Sequence, residues 1–443
     1  MRIWGNHRIT TFQIIALGFI LIIMVGTLLL MLPISSRQPN GTSFSDCLFT
    51  ATSAVCVTGL VVRDTFSHWS VFGQAVILML IQIGGMGVVT AALTLAFISG
   101  RRIGLMQRSV MQEAISAPQV GGIVKLTRFI VLTSLSIELI GALLLMPVFI
   151  PEFGWEQGIW FSFFHAISAF CNAGFDLMGV HDAYLSMTTY AQNALVNIVL
   201  VLLITIGGIG FLVWNDVKEH RFRLKQYRLQ SKIALTASGV MILIPFLWLC
   251  FSEMKQAPFG ERILPSLFQS VTLRTAGFNT MELNNVGGSS QALMILWMLI
   301  GGSPGSTAGG MKTTTGAVLV LTAIAIFRRK DHITCFGRRI GDEAVRNAVA
   351  LMIMYFSLFF AGGLIISKLE ALPLRSCLFE TASALGTVGL SLGITTRIGD
   401  LSRLILVALM FMGRVGGLTL IYATQSVRKA TGCTLPMEKV TVG

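Results

Sequence analysis

Long and short apolar runs alternate along this chain in one fixed order, four times over. A helical run of about 20 apolar residues matches the hydrocarbon thickness of a bilayer, and a run half as long does not cross it. Residues 11–32 form a spanning run, 44–55 a short one and 71–97 a second long one. The order returns as 125–149, 159–170 and 191–214, as 232–251, 265–273 and 292–327, and as 346–366, 374–385 and 401–423. The pattern predicts an all-α integral membrane protein of four tandem helix–pore loop–helix units. Eight transmembrane helices and four re-entrant pore helices would surround a pseudo-fourfold central pore. The units divide the chain at 1–100, 101–224, 225–330 and 331–443, the last ending in a cytoplasmic tail.

A short glycine motif follows each short run. Val57-Thr58-Gly59-Leu60, Asn172-Ala173-Gly174-Phe175, Thr275-Ala276-Gly277-Phe278 and Thr387-Val388-Gly389-Leu390 are versions of one sequence, with glycines 115, 103 and 112 residues apart. Non-helical backbone at membrane depth is tolerated only when buried in protein or lining a wet cavity. Four such motifs around one axis meet that condition. Glycine turns its carbonyl toward the axis without a side chain blocking the way, and the C-terminal dipoles of the preceding helices favour a cation there. The backbone carbonyls of Gly59, Gly174, Gly277 and Gly389 are the candidate ligands of a desolvated cation. Two departures break strict fourfold symmetry. The third unit is one residue shorter between Thr272 and its glycine and carries Arg274, expected to bond loop carbonyls or acidic side chains. Asn172-Ala173 replaces a Thr-Val pair. Both imply weaker ion discrimination than a symmetric filter gives.

Each second long run is interrupted by glycines: at Gly84-Gly85-Met86-Gly87, Gly207-Gly208-Ile209-Gly210 and Gly413-Arg414-Val415-Gly416-Gly417. In the third, Gly301-Gly302-Ser303-Pro304-Gly305-Ser306-Thr307-Ala308-Gly309-Gly310 cannot hold a regular helix. A broken helix with a polar loop at mid-membrane can only be buried in protein or line the pore. Lys312 follows it. Arg414 lies mid-span, where a charge costs several kcal/mol unless it faces a cavity or a partner; the loop carbonyls are its nearest acceptors. Glu138 is expected to take a buried hydrogen bond within the bundle.

Composition agrees. The chain has 443 residues, 54% hydrophobic and 12% charged, with a mean hydropathy of +0.76. The first run is too long for a signal peptide and lacks a cleavage site, so it reads as a retained helix. The net charge of +13 gathers in residues 101–128, 218–232, 328–346 and 428–439, with Arg2 and Arg8 at the start. These stretches share one side of an eight-crossing topology, so both termini are expected in the cytoplasm. That placement argues against a nucleic-acid patch. Seven cysteines and six histidines show no metal spacing. His165, Ser303 and Ser306 have no nucleophile–base partner at usable spacing, so an enzyme is not expected.

Four filter glycines, four repeated units, a Gly/Ser-rich break in the third and an arginine in the fourth resemble the Trk/Ktr/HKT superfamily of potassium transporters, most closely its Ktr-type (KtrB-like) membrane subunits. The resemblance covers essentially the whole chain. It implies channel-like potassium uptake across the bacterial plasma membrane, gated by the loop and Arg414 and promoted by sodium. It also implies a homodimer on a cytosolic RCK-type (KtrA-like) ring through which ATP and ADP act; the chain itself needs no cofactor. A glycine at 59 is unlike the serine of sodium-selective members. The alternative is an alternating-access symporter of K+ or Na+, which would use inverted rather than parallel repeats.

Overall fold

Polar caps mark where the helices begin. In the computed structural model, which describes residues 10–38, 41–88, 90, 104–115, 119, 121–417 and 419, α1 (Thr11–Leu30) opens on Thr10. Its hydroxyl accepts from Gln13 N–H at 3.3 Å while the Gln13 amide oxygen accepts from Thr10 N–H at 3.0 Å, a reciprocal cap. Ser43 caps the short α2 (Phe44–Val55), and Ser70 caps α3 (Val71–Met86). Next come α4 (Leu105–Ile115) and the long α5 (Ile123–Phe170). The sequence predicts two helices across α5. Helical bonding instead runs nearly throughout, but Pro147 and Pro151 weaken it and Gly154, at φ 81°, turns the chain. Residues 155–170 thus form the second short helix.

α6 (Ala194–Gly208) and α7 (Phe211–His220) are bent by 94° at the Gly207–Gly210 break, so the predicted run to 214 is not one straight helix. α8 (Leu229–Trp248) passes Pro245 and widens into a π turn, Leu249–Glu253. The short α9 (Phe259–Thr272) begins six residues earlier than predicted. α10 (Gly288–Leu299) and α11 (Thr313–Phe327) flank a non-helical stretch at 300–312, as the Gly/Ser/Pro composition requires. α12 (Asp342–Glu370), the short α13 (Leu374–Gly386) and α14 (Asp400–Val415) complete the order. One small hairpin, Thr334–Cys335 with Arg338–Arg339, departs from the all-helical expectation; Phe336 and Gly337 at φ 49° and 73° supply its turn.

Among the described residues four helices, Thr11–Leu30, Ile123–Phe170, Leu229–Glu253 and Asp342–Glu370, are each long and apolar enough to cross a membrane, and the bent α6–α7 pair makes a fifth when counted as one span. Val71–Met86, Gly288–Leu299 and Thr313–Phe327 are apolar but shorter within the described residues. Leu17, Leu21 and Leu28 of α1 and Leu132, Leu139 and Leu143 of α5 turn outward, leaving an apolar surface. Contacts between elements run in a circle. α3 packs on α5, α6 on α9, α10 on α13, and α14 back on α2. Arg2, Arg8, Arg101, Arg102, the 428–439 cluster and the far ends of the 71–97 and 401–423 runs lie outside the described residues.

Candidate functional site

All four glycine motifs meet at one place. Each short helix ends in the same way: the residue two before the glycine takes a left-handed conformation. Val57, Asn172, Thr275 and Thr387 have φ of 49°, 57°, 68° and 52°, and Gly59, Gly174, Gly277 and Gly389 have 88°, 69°, 82° and 95°. The residue between them bonds back to the helix. Thr58 N–H donates to Ser53 O, Ala173 N–H to Ser168 O and Val388 N–H to Ser383 O, each at 2.8 Å, whereas Ala276 N–H donates to Thr272 O at 3.0 Å. In the first, second and fourth this is a Schellman termination; the third, one residue shorter, closes a tighter turn. The helix-end hydroxyls also pin the motifs. Ser53 and Ser383 accept from the N–H of Gly59 (3.1 Å) and Gly389 (3.0 Å), while Ser168 and Thr272 donate to the carbonyls of Phe175 (2.7 Å) and Phe278 (2.6 Å).

The glycines touch in ring order. A methyl group on Gly59 would lie 2.5 Å from the Ala173 carbonyl oxygen, one on Gly174 2.8 Å from that of Ala276, and one on Gly277 2.6 Å from that of Val388; one on Gly389 would overlap that of Thr58. A cavity of about 660 Å³ opens on one side of this ring, lined by all four glycines and by Asp64 and Asp176. Burial pushes the Asp176 carboxyl up to about 7, opposed by the Met178 N–H it accepts and aided by nearby Asp64.

The loop at 301–310 closes the other side. Thr307 N–H donates to Gly207 O at 3.2 Å, its hydroxyl to Phe170 O at 3.1 Å, and Ser303 N–H to Gly208 O at 3.0 Å. Gly310 N–H donates to Gly413 O at 3.1 Å, and Gly301 N–H to Met311 O at 2.7 Å. Side chains on Gly301 and Gly309 would run into Thr275 and Thr387, so the loop lies directly against two filter motifs. Gly302 and Ala308 are buried with it, whereas Pro304, Gly305 and Ser306 are half-buried. A second cavity, about 270 Å³, lies beyond the loop and is lined by Gly85, Gly305, Ser306, Lys312 and Arg414. Lys312 Nζ folds back to donate to Ala308 O at 2.9 Å.

Arg414 ties the loop to the first quarter of the chain. Its Nη1 donates to the Thr307 carbonyl; its Nη2 donates to the Gly84 carbonyl and, at 3.0 Å, to that of Gly85. The loop contact was anticipated, but the anchor on α3 was not. Glu138 accepts from Gln82 Nε2 with both carboxyl oxygens at 3.0 Å, and Cys171 Sγ lies 3.9 Å from it. The expected role of Glu138 as a buried bundle contact thus finds its partners. Arg274 corrects an expectation. It is buried and donates from Nη2 to the Ser238 hydroxyl at 2.9 Å, and among the described residues it bonds no acid or loop carbonyl and its Nε has no partner. Ser238 sits on α8, 36 residues away, and no local pattern marks it. α4 was also missed. The carbonyl of its last residue, Ile115, abuts Gly305 of the loop.

The chain is similar to known proteins along nearly its whole length. A chain from Enterococcus hirae named potassium/sodium uptake protein NtpJ is 39% identical, covering 99% of this chain and 98% of its own. The Ktr system potassium uptake protein B of Bacillus subtilis is also 39% identical, over 94% of this chain and 93% of its own. The crystal structure of the potassium transporter TrkH from Vibrio parahaemolyticus shares the fold, with a TM-score of 0.75 at 19% identity, over 95% of this chain and 85% of that one. The family described as TrkH, cation transport protein, matches residues 7–428. The chain therefore belongs to the TrkH family of cation transport proteins.

Proposed function

We propose that this protein takes up potassium through a pore whose selectivity filter is Val57-Thr58-Gly59, Asn172-Ala173-Gly174, Thr275-Ala276-Gly277 and Thr387-Val388-Gly389. The observation that carries the reading is the shared backbone of the four motifs: positive φ two residues before the glycine and again at it. Alternating the sign of φ turns successive carbonyls to the same side of a strand. Four such strands in ring order offer oxygens to one dehydrated cation, with the carbonyls of Gly59, Gly174, Gly277 and Gly389 among them. That the relatives are named potassium/sodium uptake protein and potassium uptake protein supports the same ion.

The four sequence units then form eight crossings around a pseudo-fourfold axis, with both termini cytoplasmic and the filter entered from outside. The circular contacts of α3, α6, α10 and α14 with the next short helix support that arrangement. Residues 301–310 with Lys312 form the gate, and Arg414 holds it shut by bonding it to α3. The membrane chain works as a homodimer on a cytosolic RCK-type ring that supplies ATP and ADP control. That a relative is named for a Ktr system supports such a partner. Sodium promotes the uptake. Expression in bacteria lacking their own potassium uptake tests the reading. Growth at low potassium with Rb+ influx is the expected result; a well-expressed chain that moves no Rb+, with or without a ring subunit, contradicts it.

A further inference from the structure

A ring of carbonyls that discriminates between cations must be held from behind, and the four motifs are not held equally. Glu380, nine residues before Gly389 on α13, is fully buried. Its carboxyl accepts from the Ser391 hydroxyl at 2.5 Å, Leu392 N–H at 3.0 Å and the Thr395 hydroxyl at 2.8 Å. All three donors lie just past the glycine. His165, nine residues before Gly174, does the same work. Its Nε2 accepts from Leu177 N–H at 3.1 Å, which leaves Nδ1–H to donate to Phe161 O at 2.7 Å. In the first motif the corresponding Thr50 hydroxyl is used on Asp46 O. Asp46 takes over, pairing with Arg63 just past Gly59 at 2.9 Å and with Arg403 of α14 at 2.9 Å.

The third motif lacks such a tie. Gln269, eight residues before Gly277 in the unit shortened by one, is fully buried, yet neither amide atom has a partner among the described residues. The buried hydroxyl of Thr280 is likewise unpartnered; Thr280 is three residues past Gly277, as Leu177 and Leu392 are past theirs. This segment leans on its neighbour instead, through Asn279 N–H donating to the Ser186 hydroxyl at 3.1 Å.

We infer that Asp46, His165 and Glu380 are positioning residues for ion discrimination, and that the third filter motif, pinned at Phe278 O by Thr272 but without such a brace among the described residues, is the compliant one. The inference rests on the filter reading above. Three tied motifs resist closing around a smaller ion. The third yields, so the potassium-to-sodium ratio is set by how many motifs are tied.

The test is the ratio of Rb+ to Na+ uptake by the full chain, measured separately from total capacity and protein level. Glu380→Gln keeps the size but puts an NH2 donor before hydroxyl and amide donors. It should lower the ratio about tenfold, the upper end of the scale for losing one hydrogen bond. Ser391→Ala with Thr395→Val removes two donors without touching α13, and should lower the ratio even if Glu380→Gln fails to fold. Gln269→Glu gives the third motif a counterpart of Glu380 and should raise it. Loss of capacity at an unchanged ratio in the Ser391→Ala/Thr395→Val variant, or no gain of ratio in a folded Gln269→Glu, overturns the inference. Gly59→Ser measured alongside separates the two readings. If it shifts the ratio and the bracing variants do not, only the bracing fails; if it does not shift it either, the filter reading fails as well.

Discussion

Val57, Thr275 and Thr387 are β-branched, yet each sits at positive φ. Holding a non-glycine residue there costs roughly 1–3 kcal/mol, and such strain persists where the surroundings over-determine it and function uses it. The repeated strain at one register is a stronger sign of a working site than the glycines alone. Gly59 shows how little room is left. At φ 88°, with the Ala173 carbonyl 2.5 Å from where a Cβ would lie, Gly59→Ser must displace the second motif. The expected result is a lower K+ preference over Na+ in paired uptake measurements, and an unchanged preference at normal expression removes Gly59 from the filter. Arg414 sits on the opposite side of the ring from the outer cavity. At about 5 Å and an effective dielectric of 20, a unit charge opposes a passing cation by roughly 3 kcal/mol, about a hundredfold in rate. Arg414→Ala should therefore leak faster in liposomes without a partner subunit. Arg414→Lys should leak less than alanine, since it keeps the charge but loses the fork that reaches Thr307, Gly84 and Gly85 together. A stable alanine variant with wild-type leak makes Arg414 a packing residue. The position of Arg414 was legible because a charge inside an apolar run has to be explained. Its α3 partners were not, since an anchor 330 positions away leaves no trace in local pattern.

At the scale of elements, period and punctuation served well where they were strong. The short α2 matches its predicted bounds, and the ten-residue Gly/Ser/Pro/Thr/Ala loop broke its helix where composition required. Capping residues add detail that the apolar runs lack. α4 was missed because its only buried apolar residues are Val110, Met111 and Ile115 in an otherwise polar stretch. Between α6 and α7 the sequence predicts only an interruption and the structure shows a bend of 94°, since Gly210 at φ 102° redirects the chain only in its tertiary setting. The loop itself carries the next prediction. Its backbone bonds to Gly207, Gly208 and Gly413 brace it between α6 and α14. Deleting residues 303–307 removes the Ser303 and Thr307 ties together with the Arg414 acceptor. Flux through purified protein should rise and respond less to a cytosolic partner. A folded deletion that conducts no faster makes the loop a structural kink.

The whole molecule adds orientation and closure. The basic stretches at 218–232 and 328–346 carry exposed Lys and Arg, and the outer cavity lies among Asp64, Asp176 and Glu282. Positive-inside placement would put Arg223 in the cytoplasm and Asn284, which lines the cavity, outside. On a background without Cys335 and Cys433, an impermeant maleimide should label Asn284→Cys in intact cells and leave Arg223→Cys untouched until the cells are opened. The reverse order inverts the topology. Fourfold repetition made the overall plan readable from one sequence. What it left hidden is how the four motifs differ, because those differences lie in side-chain partners rather than in the repeated pattern. On this mechanism one cation sits among Gly59, Gly174, Gly277 and Gly389. Anomalous diffraction from crystals grown in Rb+ should show a Rb+ peak on the axis of the ring, ligated by carbonyls from all four motifs. A well-ordered ring with no peak, or Rb+ bound only elsewhere in the protein, would mean that the four motifs are not a cation filter.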